Sequence, residues 1–212
     1  MKQLCMCLLT LVALMNLTVL AQTVQGDSTV NATLRQELIK MGEADQQHRG
    51  RIVELLKQGQ NPQQSPELED LWKKQREIDE ANMKRLEQIV KENGWPGVSL
   101  VGAEASRAAF LIVQHAEPIY QEKYLPLLRD AAAKKDIVAS ELAMLEDRVL
   151  MSQNKKQIYG TQLKVNPATK KRELWPIEDE ANVDARRASV GLMPLAGYLK
   201  MFGIDYVSPA KN

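Results

Sequence analysis

The sequence predicts a mainly α-helical protein: a bundle of about five helices with one β-hairpin and a short helical C-terminal tail. Three observations lead to this prediction. Apolar residues recur at alternating steps of three and four over long segments, which is the period of one helix face. Proline and glycine stand at the ends of these segments, where helices begin and stop. Around Asn166-Pro167, two short apolar runs flank a polar turn, the pattern of a hairpin.

The first predicted helix runs from about Ala32 to Lys57. A connector containing an Asn-Pro pair follows. Ser65 then caps a second helix, which has a proline in its first turn and reaches about Glu92 before a terminating glycine. Because the connector is short, these two helices are expected to pack antiparallel.

The third predicted helix, Ala103 to Ala116, is apolar on nearly every face, which indicates a central position. The remaining elements follow from the same periodicity and turn signals. They are helices from Pro118 to about Lys134 and from Val138 to about Gln153, hairpin strands Tyr159–Val165 and Lys171–Trp175, a short helix ending at Gly191 and another starting at Pro194.

The N-terminus has the pattern of a secretory signal peptide over residues 1–21. Lys2 provides the basic region, a mostly apolar run follows, and Val19-Leu20-Ala21 places small residues at the −3 and −1 positions of a cleavage site. A retained membrane anchor is the weaker alternative, since the run is barely long enough to span a bilayer. Cleavage after Ala21 predicts a periplasmic or secreted protein with no membrane span, a mobile leader at residues 22–31 and a single domain at 32–212.

Composition excludes several function classes. Both cysteines lie inside the predicted signal peptide, so the mature chain would have no thiol for a cysteine hydrolase, a thiolate zinc site or an iron–sulfur cluster. Removing Lys2 from the 28 basic residues leaves 27, against 27 acidic ones. Nucleic acid is therefore not an expected partner, because its binding requires a concentrated positive surface.

Polar residues interrupt the apolar faces of the predicted helices. Each buried polar group without a partner costs about 1–3 kcal/mol, so scattered intrusions would remove most of the stability of one domain. We therefore expect the intruding groups to meet in one polar pocket, with the segment Tyr159–Gln162 as its wall. The intruding residues are Asp45, His48, Asp79, Asn82, Gln114, His115, Gln121, Asp147 and Arg148.

Several short polar motifs in the sequence resemble those of a known protein family. They are Gly94-Trp95-Pro96, Gln114-His115-Ala116, Asp147-Arg148, Tyr159-Gly160-Thr161-Gln162, Pro176-Ile177-Glu178-Asp179 and Val183-Asp184-Ala185-Arg186-Arg187. With their spacing, the segment from about Asp45 to Tyr198 resembles a bacterial family known as domain of unknown function 6624. The resemblance implies motif positions at Asp45, Asp79, Gln114, His115, Gln121, Asp147 and Arg148, and it implies no reaction.

The residue types favour a binding site for a small polar or anionic ligand, because no nucleophile is marked by a known signature. Arginines would supply paired donors for a carboxylate or phosphate. The ligand-binding candidates are Asp45, Asp79, Gln114, Gln121, Arg148, Tyr159, Thr161, Gln162, Asp179 and Arg187. The alternative for two of these residues is a structural role. Arg187 would then pair with Asp184 at the protein surface, and Asp179 would only cap a helix.

Two other interpretations stay open. In the first, the protein is a hydrolase whose general base, His115, is oriented by Asp147. In the second, the polar network is purely structural and the domain binds a protein partner through aromatic residues such as Trp95.

No metal or other cofactor is expected. Asp45 and His48 have the carboxylate-x-x-His spacing of di-iron bundles, but Ile112 stands where a second such pair requires a carboxylate. A mixed metal site formed by His115, Asp147 and Asp79 remains the open alternative.

Overall fold

The structure, a computed structural model, describes residues 30–61, 63–169 and 171–209. The predicted signal peptide and almost all of the predicted leader lie outside the described residues, as does the proline of the Asn-Pro connector. The chain divides into two compact units, residues 1–116 and 117–212. The single domain expected from the sequence stays a prediction.

The first unit is built from helices, in agreement with the predicted mainly α fold. Its apolar core includes Leu38, Leu86 and Ala109, none of which exposes any surface. The α-helices of this unit are α1 (Ala32–Gln46), α2 (Arg49–Lys57), α3 (Pro66–Asn93) and α4 (Val98–His115).

Side-chain caps and a glycine set the helix ends in this unit. The Asn31 side chain accepts a hydrogen bond from the amide of Leu34 at 3.0 Å and so caps α1. Ser65 caps α3 through the amide of Leu68, at 3.3 Å. Gly94 follows α3 with a φ of 74°, a left-handed conformation that glycine adopts without a steric penalty. The predicted cap at Ser65 and the predicted end at Gly94 are both confirmed.

The prediction of one continuous helix from Ala32 to Lys57 is wrong. The helix is interrupted at residues 47–48, here called the α1–α2 break. The buried side chain of Gln75, on α3, donates to the carbonyl oxygen of Asp45 at 2.9 Å and accepts from the amide of His48 at 3.3 Å. A side chain that bonds into the backbone ladder in this way is a recognised cause of helix breaks.

Helix α4 contains a local kink at Gly102, whose φ of 80° and ψ of 164° are not helical. The regular part of the helix therefore begins at Ala103, where the sequence placed its start. His115 is the last residue of the helix. Its apolar neighbours Val113 and Ile112 are buried, as expected for a helix that is apolar on nearly every face.

Helices α1 and α4 approach each other closely at Gly42. A Cβ atom placed on Gly42 would lie 2.7 Å from the Cβ of Ala108, well inside normal contact. Asp45 lies one turn after Gly42, and His115 lies two turns after Ala108. Because residues three or four apart share a helix face, the close approach brings Asp45 and His115 to the same side of the helix pair.

Two glycine-to-alanine substitutions test this contact. Gly42→Ala is expected to destabilise the protein by about 1–3 kcal/mol, since it overpacks the interface. The matched change Gly50→Ala, in α2, meets no atom within 4 Å and is expected to stabilise by about 0.5–1 kcal/mol. Urea denaturation measures both effects. Equal effects of the two substitutions would contradict the close α1–α4 contact.

The second unit combines helices with a small antiparallel sheet. The buried residues Ile177, Val183, Leu195 and Leu199 form its C-terminal core cluster. The elements are α5 (Pro118–Ala133), α6 (Ala139–Ser152), β1 (Leu163–Val165), β2 (Arg172–Leu174), a 3₁₀ turn (Glu180–Asn182), α7 (Val183–Ser189) and α8 (Leu195–Lys200). The two short tail helices agree with the prediction.

The hairpin is present but shorter than predicted. Strand β1 pairs with β2 in the register Leu163 opposite Leu174 and Val165 opposite Arg172, and Asn166 closes the turn through its side chain. The predicted first strand began at Tyr159, which is wrong, because residues 158–161 form a loop. Three of their amides, those of Ile158, Tyr159 and Thr161, bond to the carboxylate of Asp147 and so do not form a strand ladder.

Within the described residues, no helix has both the length and the apolar character needed to cross a membrane.

Candidate functional site

Polar side chains from four helices of the first unit meet in one hydrogen-bonded group, here called the Asp45 cluster. Its members are Asp45 on α1, Arg49 on α2, Gln75 and Asp79 on α3, and His115 on α4. The side chain of Asp45 is 1% exposed, that of Arg49 7%, that of His115 8% and that of Asp79 19%. Three of the intruding residues, Asp45, Asp79 and His115, therefore belong to one hydrogen-bonded group.

The centre of the cluster is the contact between Asp45 and His115. The Nδ1 atom of His115 lies 3.0 Å from Oδ1 and 2.9 Å from Oδ2 of Asp45. Facing a carboxylate, Nδ1 acts as the donor, so the contact fixes the orientation of the ring and the position of its proton. Asp45 therefore orients His115 through Nδ1, a partner that the sequence analysis did not name.

Arg49 joins the two carboxylates of the cluster. A single atom, Nη2, donates to Oδ1 of Asp45 at 3.0 Å and to Oδ1 of Asp79 at 2.6 Å. The pairing of Asp79 with Arg49, one of the structural alternatives raised by the sequence, is thus observed. Such charge-assisted bonds are about twice as strong as neutral ones, and they hold the end of α1, the start of α2 and the middle of α3 together.

The two carboxylates have different protonation tendencies. Burial acts to raise the pKa of Asp45, but the contacts with His115 and Arg49 outweigh it and hold the pKa below its usual value. Burial raises the pKa of Asp79 above its usual value, although Arg49 opposes this. A site whose acids are shifted in opposite directions can keep one ionised and supply a proton from the other.

Gln75 is a member of the cluster that the sequence analysis did not select. It is completely buried, and its Nε2 atom donates to Oδ1 of Asp79 at 2.8 Å as well as to the backbone of Asp45. A signal was present, because Gln75 lies four residues before Asp79 and so on the same face of α3. Asn82, which was selected, makes a similar bridge by donating to the carbonyl oxygen of Met41 at 3.0 Å.

Asp147 organises a hydrogen-bond network within the second unit. Its carboxylate accepts hydrogen bonds from the amides of Ile158, Tyr159 and Thr161 at 2.7–3.2 Å and from the Thr161 hydroxyl at 2.9 Å. Gln162 donates to the Thr161 hydroxyl at 3.0 Å. Burial raises the pKa of Asp147, while these donors favour its ionised form. The network fixes the loop at residues 158–161, here called the Asp147 loop.

Arg187, which the sequence predicts as a donor to an anion, donates to backbone oxygens in the structure, and so does its neighbour Arg186. Arg187 is 1% exposed and donates to the carbonyl oxygens of Met193 and Tyr159, each at 2.6 Å. Arg186 donates to carbonyl oxygens and also pairs with Asp179 at 3.2 Å. The proposed pair between Asp184 and Arg187 is not among these contacts, since Asp184 accepts from the amide of Leu195 at 2.7 Å.

The pattern of these residues agrees with a known family model. The family of unknown function DUF6624 matches residues 32–209, and the match includes both the Asp45 cluster and the Asp147 loop. The chain belongs to this family. No curated protein and no solved structure matches it.

Three further candidates of this DUF6624 chain lie in the interior. Gln114, Gln121 and Arg148 are all buried, at 4–8% exposure. Asp179 does not cap the following turn through a backbone amide; its carboxylate accepts from the Asn182 side chain at 3.0 and 3.1 Å. Trp95 is 8% exposed, so it belongs to the core rather than to an open aromatic surface.

The described part of this DUF6624 chain has no arrangement of side chains suited to a metal ion. Over residues 30–61, 63–169 and 171–209, no group of three or more His, Cys, Asp or Glu side chains has the arrangement needed to hold a metal ion.

Proposed function

We propose that the Asp45 cluster is an acid–base site, in which His115 exchanges a proton with a small polar substrate and acts as the general base of a hydrolytic reaction. The observation that carries the proposal is the contact of His115 Nδ1 with both carboxylate oxygens of Asp45. With the proton on Nδ1, a neutral imidazole has its lone pair on Nε2. An imidazole oriented in this way can take a proton from water.

The surroundings of the pair support the same function. Arg49 neutralises Asp45 and holds its carboxylate in place, so the orientation of His115 is set before a substrate arrives. Preorganisation of this kind is the main contribution of a protein to proton transfer. Asp79, whose pKa burial raises, lies on the same Arg49 atom and would serve as a second proton carrier.

The test is a comparison of the two histidines of the chain. We expect His115→Gln to lower kcat by about 10²–10⁴-fold on any ester, phosphoester or amide that the wild-type protein turns over in a chromogenic screen. His48 is the matched control, because it contributes its backbone amide, rather than its imidazole, to Gln75. His48→Gln is expected to retain turnover. Equal activities of the two variants would overturn the proposal.

Binding of a small ligand without turnover is the second candidate. The observation favouring it is the Nε atom of Arg49, which is buried and has no hydrogen-bond acceptor among the described residues. An unmet buried donor costs about 1–3 kcal/mol, and a ligand oxygen that reached it after a side-chain movement would recover that energy. Native mass spectrometry separates the candidates, since a bound compound would keep its mass in this case and change it in a hydrolysis.

We propose in addition that the protein is exported, with a signal peptide removed after Ala21. The support comes from the basic residue, the apolar run and the small residues at the cleavage positions. N-terminal sequencing of the protein purified from its native host is expected to begin at Gln22. A mature chain that still begins at Met1 would contradict the proposal.

A further inference from the structure

We propose that Gln75 is a positioning residue that sets the Asp45 carboxylate against His115 by holding the α1–α2 break, an inference that rests on the acid–base function proposed above. Gln75 lies on α3, thirty residues from Asp45 in sequence. It contacts both the backbone of the break and the second carboxylate of the cluster. It therefore links the local shape of the chain to the geometry of the site.

The contacts of Gln75 use both ends of its amide. Nε2 donates to the carbonyl oxygen of Asp45 at 2.9 Å and to Oδ1 of Asp79 at 2.8 Å, while Oε1 accepts from the amide of His48 at 3.3 Å. The side chain has no exposed surface. A primary amide offers two donors and one acceptor oxygen, so this single side chain satisfies groups on three residues.

The contacts of Gln75 set the orientation of the Asp45 and Arg49 side chains. Within the break, Gln47 donates to the carbonyl oxygen of Ala44, three residues back, so the last turn of α1 is tightened. Gln75 then fixes the carbonyl of Asp45, which precedes the break, and the amide of His48 within it. Beyond the break, the Arg49 side chain returns to Asp45 and also reaches Asp79. Arg49 therefore depends on the same break for its bridge.

The chemical requirement is specific to glutamine. Glutamate at position 75 would still accept from the His48 amide, but it would lose both donors and place a third negative charge beside Asp45 and Asp79. Methionine would fill the same space without either function. Because small displacements in a catalytic group cost up to about 100-fold in rate, loss of these bonds should reach the chemistry through Asp45.

The experiment compares Gln75→Met and Gln75→Glu with a matched control, Gln88→Met, on the exposed face of the same helix. The structural readout is the His115 Nδ1–H signal in ¹H–¹⁵N NMR spectra of the full chain, with Asp45→Asn as the reference for a lost contact. The kinetic readout is kcat and KM on the substrate found in the screen.

We expect both Gln75 variants to shift the Nδ1–H signal towards that of Asp45→Asn and to lower kcat about 10- to 100-fold with little change in KM. Gln88→Met should match the wild type in both respects. If a folded Gln75→Met variant kept the wild-type signal while Asp45→Asn lost it, the positioning role would be overturned. If Asp45→Asn also kept the wild-type signal and turnover, the acid–base function itself would fail.

Discussion

Replacing Asp147 by alanine is expected to lower the free energy of unfolding by about 3–5 kcal/mol, as when one partner of a buried charged network is removed. The variant leaves the amides of Ile158, Tyr159 and Thr161 without their acceptor. Each buried unsatisfied donor costs about 1–3 kcal/mol, and relaxation of the loop towards water recovers part of that cost. Urea denaturation measures the change, and hydrogen exchange at the Tyr159 amide locates it.

Two further variants serve as comparisons for Asp147→Ala. Asp147→Asn retains one acceptor oxygen and is expected to lose less stability than the alanine variant. The matched control is Asp70→Ala, because Asp70 is paired with Lys74 at the surface and exposed pairs contribute little. Wild-type exchange at the Tyr159 amide in Asp147→Ala would show that the carboxylate does not hold the loop.

The second large effect is expected at Arg187, which holds the opposite side of the same loop. Arg187→Met should destabilise by about 2–4 kcal/mol, since hydrogen bonds to a charged group are worth about 1.5–3 kcal/mol each. The variant leaves the carbonyl oxygens of Tyr159 and Met193 without their donor and removes the guanidinium from the face of the Tyr198 ring, 5.0 Å away. Thermal unfolding measures the loss, with Arg76→Met at an exposed position as control.

The two substitutions are expected to be non-additive. Asp147 binds the amides of the Asp147 loop, and Arg187 binds the carbonyl oxygen of Tyr159 within it. Once one partner is lost, the loop relaxes and the other partner contributes less. The double variant should therefore lose less stability than the two single losses added together. Strict additivity would mean that the two residues stabilise independent parts of the unit.

The contacts of Asp147 and Arg187 change the interpretation of the Asp147-Arg148 and Tyr159–Gln162 motifs. The sequence placed them in a ligand pocket, because charged and amide side chains interrupt apolar faces there. In the structure, the Asp147 carboxylate and the Arg187 guanidinium bind the backbone of the chain itself. The observed contacts therefore support a structural role for these two side chains.

Much of the fold could be predicted because its signals are local. Helices α3, α5 and α6 begin and end within a residue or two of the predicted positions. Their apolar spacing and capping residues lie within the helices themselves or next to them. The errors occurred where a distant side chain competes for backbone groups. Gln75 interrupts the first helix, and Asp147 prevents the first strand from starting at Tyr159.

The candidate site was predicted in part for the same reason. Asp45, Asp79 and His115 could be selected because each one interrupts an apolar face, a property of a single helix. The sequence could not predict which carboxylate binds His115, since Asp45 and Asp147 both lie on apolar helix faces. The close packing of Gly42 against Ala108 places the ends of α1 and α4 side by side, and this brings Asp45 to His115.

The sequence by itself determined the helical fold class, the positions of most helix ends and which polar residues enter the core. Those properties depend on the spacing of residues along one segment. Only the tertiary structure decided which of those polar residues pair, because pairing depends on distances between segments far apart in the chain. In the structure, Asp45 contacts Nδ1 of His115, and Asp147 accepts hydrogen bonds from backbone amides of the loop that follows it in sequence.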